Sequence, residues 1–80
     1  MCRSIHTLYN VEPPVTEEEI HAASIQFVRK ISGYNIPSKA NEAAFMIAVE
    51  EIAVASTRLL NALETNAPVR ERRSVAGTRN

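Results

Sequence analysis

Any chemistry in this chain would begin at its N-terminus. Cys2 is followed by Arg3 and, four residues on from the cysteine, by His6. A small second residue permits removal of the initiator methionine, which leaves a free amine beside a thiol. Such a pair can bind a metal ion or attack an electrophile, and Arg3 favours the thiolate. His6 is the nearest base or ligand. The plainer reading is a small apolar Cys2 tucked against a helix with Arg3 ion-paired, because free cysteines are usually buried and inert. No oxyanion donor, second base or metal-type Cys/His spacing accompanies Cys2 and His6. Thiol or metal-dependent redox work is therefore the second functional reading, and no metal or cofactor is assigned.

A second constellation is cationic. Arg29, Lys30 and Lys39 flank a turn containing Gly33 and Tyr34. Together with the amides opening a following helix they have the makings of an anion site. Cations resting at a helix C-terminus account for the same residues more simply. His21, beside Glu17 and Glu18, reads as an exposed side chain and not a ligand.

These residues need elements to hold them, and the pattern predicts two helices. Thr16 with Glu19 three residues later forms a capping box, and Val15 and Ile20 are spaced as a hydrophobic staple. Three glutamates follow the cap, Arg29 and Lys30 close the last turn, and Gly33 is placed to stop the helix. That helix is predicted over about 16–32. Its apolar face is Ile20, Ala23, Phe27 and Ile31, with Ser24 and Val28 beside it and Ile25 off it. Ser38 to Leu63 contains no Gly or Pro, and a second helix is predicted over about 38–64, capped by Ser38 or one turn later by Asn41. Its core stripe is Phe45, Val49, Ile52, Ser56, Leu59 and Leu63. Ala43, Ile47 and Val54 lie on the far side with nothing evident to cover them. The short link between the helices implies antiparallel neighbours.

Residues 2–9 fit either a short strand or a helical turn, and an arm lying over the helices is expected. Asn10 to Pro14, with two prolines, is a connector. After Pro68 the apolar pattern stops. The fold class is thus all-α: an antiparallel two-helix hairpin with an N-terminal arm. Residues 1–66 form one helical domain, and 67–80 form a disordered, mobile basic tail.

Composition narrows the setting. Eighty residues bury a small core, and one cysteine forbids an internal disulfide. A partner subunit is then the expected support, which makes a homodimer through Ala43, Ile47 and Val54 the first expectation. The net charge is zero. Residues 1–65 carry five basic against eight acidic side chains, and residues 66–80 carry four against one. A nucleic-acid binder normally carries positive charge on its folded part, so nucleic acid is not an expected partner. No secretory signal or apolar run of membrane-spanning length is evident, so a cytoplasmic location is expected, with no membrane partner.

Several segments together resemble one family. They are Met1-Cys2-Arg3 with Ile5 and Leu8; Pro13-Pro14 with Thr16; Gln26 to Gly33; Pro37 to Asn41 followed by Ala44-Phe45 and Ala48-Val49; and Leu59-Leu60, Leu63, Thr65 and Pro68. In this order they resemble the small uncharacterised bacterial proteins of the domain of unknown function DUF2277. Ser4 stands where the family has Asn, and the tail is shorter than the family's Arg-rich ending. The resemblance implies no established activity. The leading functional reading is a small non-catalytic interaction or self-associating module. The third, after the thiol reading, is DNA binding in the manner of ribbon-helix-helix repressors, with Ser4, His6 and Leu8 facing the bases. The proline-rich connector and the long second helix disagree with it.

Overall fold

A computed structural model describes residues 5–72 of the chain. The fold is mostly helical, and it contains one feature that the sequence pattern does not announce, a two-stranded parallel ladder joining its two ends. In order the elements are β1 (Val11–Glu12), α1 (Glu17–Ser32), a 3-10 turn (Lys39–Asn41), α2 (Glu42–Ala62) and β2 (Arg70–Glu71).

The local signals at the ends of α1 work as chemistry predicts. The Thr16 hydroxyl accepts from the Glu19 amide at 3.2 Å, and the Glu19 carboxylate accepts from the Thr16 amide at 2.8 Å. Two backbone donors that a helix start leaves unpartnered are thereby satisfied. Gly33 ends the helix at φ 82°, donating its N–H to the Arg29 carbonyl at 2.9 Å. That left-handed conformation is unstrained only without a side chain. Thr16→Ala is expected to destabilise the protein by about 1 kcal/mol. Urea unfolding followed by circular dichroism checks this, as a lower midpoint with an unchanged slope.

The second helix begins at the later of its two expected caps, Asn41. Ser38 precedes the 3-10 turn, and its hydroxyl accepts from the Asn41 side-chain amide at 2.9 Å instead of capping a helix amide. The α-helix proper starts at Glu42, after Asn41, and ends at Ala62, with Leu63 already extended.

The core lies between the helices. Val28, Phe45 and Val49 form its buried cluster, with Ile25, Ala48 and Ile52 packed against it. Val49 is fully buried. On α1 the buried line is Ile20, Ser24 and Val28. This corrects the predicted face. Phe27 and Ile31, expected inside, are 44% and 67% exposed, and Ile25, expected outside, joins the core. At 100° per residue the helix is turned by roughly 60° from its most apolar stripe. Ser24 explains how. Its hydroxyl donates to the Ile20 carbonyl at 2.8 Å, so a small polar residue enters the core without an orphaned donor. On α2 the predicted stripe is buried only at Phe45 and Val49. Ile52 and Ser56 are half-buried, and Leu59 and Leu63 are exposed.

Residues 10–12 and 67–72 hold the ends together. Asn10 takes φ 56°, a left-handed conformation that asparagine tolerates better than most residues. Its amide donates to the carbonyls of Ala67 and Pro68 at 3.3 and 3.2 Å. The Arg70 amide donates to Asn10 and the Arg72 amide to Glu12, at 3.0 and 2.9 Å, which sets the parallel register. Val11, the first residue of β1, is buried, and the Glu12–Pro13 bond is cis. Where a disordered tail is predicted from residue 67, the chain through Arg72 is therefore paired to the connector. Residues 73–80 lie outside the described residues.

Candidate functional site

The packed helices present two different sides, and the described arm residues lie along one. Ile5, His6 and Leu8 line a cavity of about 330 Å³ together with Ala23, Ser24 and Phe27 of α1 and Ile52, Ser56, Leu59 and Leu60 of α2. The expected arm over the helices is present, as neither strand nor helix at residues 5–8. It shelters part of the apolar surface that the turned α1 leaves outside the core. The cavity lining is apolar apart from His6 and the two serines, and the Ser24 hydroxyl is already committed to Ile20.

The other side is open. A groove of about 880 Å³ runs between the helices, with apolar lining from Ile20, Ala22, Ile25, Ala53 and Val54. Its charged and polar lining is Glu17, Glu18, His21, Glu50, Thr57 and Arg58. None of the described arm residues lines it. Ile47 and Val54, the large members of the expected interface, are 57% and 50% exposed, and Ala43 is exposed with them. The described part of the arm, Ile5, His6 and Leu8, lines the other cavity.

Cys2 lies outside the described residues. His6 is exposed at the mouth of the arm-side cavity. Among the described residues no three His, Cys, Asp or Glu side chains stand where they would hold a metal ion. Arg29 is engaged in the connection between the helices, its Nε donating to the Asn35 carbonyl at 3.1 Å. Tyr34 and Asn41 brace the same connection, the Asn41 amide donating to the Tyr34 hydroxyl at 3.3 Å. Lys30 and Lys39 are exposed. Residues 5–8, which a ribbon-helix-helix reading needs as a strand, carry none, and the strand that forms, Val11–Glu12, pairs within the chain.

One electrostatic centre escapes the sequence reading altogether. Arg72 bonds both oxygens of Glu19, at 2.8 and 3.0 Å, and donates to the carbonyls of Pro13 and Pro14 at 2.8 and 3.1 Å. The guanidinium ties the end of β2 to the connector and to the first turn of α1. This arrangement, and after it the Thr16 amide, holds the Glu19 carboxyl at about 2, against an ordinary 4.5. The Arg72 guanidinium is raised by the same pairing. Arg72 is one of three arginines within four residues, with Arg70 and Arg73, and nothing in the sequence singles it out for such a role.

No helix among the described residues is long and apolar enough to cross a membrane. No curated protein matches the chain, and no solved structure matches it. The sequence model of the family described as "Uncharacterized conserved protein (DUF2277)" matches residues 1–78, and the chain belongs to that family.

Proposed function

We propose that this protein is a small non-catalytic module that works by association, as a cytoplasmic bacterial homodimer of antiparallel helical hairpins. The observation that carries the reading is the exposure of Ile47 and Val54, neither of which lines the cavity that the described arm residues share with the helices. Scattered surface apolar residues are ordinary, but two half-exposed branched side chains two turns apart on one helix form a patch. Completing the burial of each contributes about 1 kcal/mol. A chain with so small a core gains in proportion.

Light scattering at micromolar concentration is expected to give twice the 8.9 kDa mass of the chain. The Ile47→Glu/Val54→Glu variant is expected to give a single-chain mass with unchanged helicity, because both positions lie outside the core. A monomeric wild-type protein at that concentration overturns the reading.

A further inference from the structure

We propose that two copies pair α2 against α2 in antiparallel orientation about a two-fold axis between Val54 and Ala55, so that Glu51 of each copy faces Arg58 of the other. This inference rests on the self-association proposed above and names its surface and register.

The surface is the back of α2. At 100° per residue, the positions opposite fully buried Val49 are Ala44, Ile47, Glu51, Val54, Arg58 and Ala62, with Ala55 at their edge. All are exposed. Glu50, Glu51, Val54, Ala55 and Arg58 line a shallow depression to which α1 contributes nothing. A helix that is apolar on its core face and again on its back is a helix packed on both sides. Ala55 and Ala62 are small enough to let a second helix approach closely.

Charge then selects the occupant and the register. The ion pair formed among the described residues is that of Arg72 with Glu19, which leaves Glu51 and Arg58 without a charged partner there. A two-fold interface brings the same patch together from both copies, so the patch must complement itself. About an axis between Val54 and Ala55, Glu51 meets the second copy's Arg58, Ile47 meets its Ala62, and Val54 meets its Ala55. Each contact occurs twice. Apolar contact alone favours a different register, with Ile47 on the second copy's Val54. That register sets Glu50 against the second copy's Glu51 and gathers four carboxylates at the centre. Parallel pairing fares no better, since Glu51 then lies beside Glu51 and Arg58 beside Arg58. Like charges in contact across an interface are strongly disfavoured, and opposite ones fix register.

Charge reversal tests the register directly. Glu51→Arg and Arg58→Glu are each expected to weaken dimerisation of the full chain at least about tenfold, since each replaces two attractive pairs by two repulsive ones. Both positions are exposed, so melting of the monomer should barely change. An equimolar mixture of the two variants is expected to restore the dimer, as is the Glu51→Arg/Arg58→Glu chain. Analytical ultracentrifugation reads all four. A wild-type dimer that tolerates both single reversals overturns this register and leaves self-association standing. Weakening without recovery in the mixture also overturns it. A wild-type monomer overturns the association reading, and this inference with it.

Discussion

Phe45→Ala is expected to unfold most of the protein in buffer without denaturant. Phe45 is 7% exposed and belongs to the cluster of three buried side chains on which the helices meet. Truncating a buried phenylalanine removes its transfer free energy and leaves a cavity, together about 3–5 kcal/mol. Domains as small as this one sit near the lower end of native stabilities, on the order of 5 kcal/mol. The loss is therefore comparable to everything that holds the chain folded. Far-ultraviolet circular dichroism should show most of the helical signal gone, or a urea transition without a folded baseline. Leu59→Ala is the control, because sequence places Leu59 on the same stripe as Phe45. Leu59 is 56% exposed, and its truncation is expected to cost less than about 1 kcal/mol. Equal losses at the two positions would mean that the core extends along α2 as the periodicity suggests.

That contrast shows which parts of the molecule a single sequence reveals. The limits of α1 are legible because they are written in local chemistry: Thr16, Glu19 and Gly33 act within one turn of themselves. Phe45 and Val49 are legible because a long apolar helix must bury something opposite its partner. The turned face of α1 is not legible. The apolar stripe puts Ser24 and Val28 only beside the face, and the bond of the Ser24 hydroxyl to the Ile20 carbonyl is what lets this polar residue into the core. The ladder is hidden for another reason. Two strands of two residues have no periodicity, and their bonds are backbone bonds, which any sequence can make. The exposure of Ile47 and Val54 was legible as a misfit on α2, whereas the line that Ile5, His6 and Leu8 take along the helices was not.

Glu19→Ala is expected to lower the melting temperature by roughly 5–10 °C, more than Thr16→Ala and more than any change to an exposed side chain of α2. Glu19 serves two structures at once, the capping box of α1 and the clamp that Arg72 closes on the connector. Its side chain is 40% exposed and that of Arg72 is 25% exposed, so solvent and salt weaken the pair, and part of the effect should fade in high salt. The pH dependence has a definite sign. The folded-state value of about 2 lies below the ordinary 4.5, so the folded protein releases this proton more readily than the unfolded chain. Ionised Glu19 thus contributes its full stabilisation above the ordinary value, and the contribution falls away as pH drops from about 4.5 to about 2. The stability difference between wild type and Glu19→Gln should be flat near neutrality and close across that acid window, other carboxylates cancelling in the difference. Arg72→Met separates the two roles of Glu19. It leaves the capping box intact and removes the clamp, so exchange should quicken at the backbone amides of positions 70 and 72, which bond Asn10 and Glu12. Exchange at Val49, in the middle of α2, should not change. If both regions quicken together, the ladder is part of the same cooperative unit as the helix core, and the ends of the chain are as necessary to the fold as Phe45.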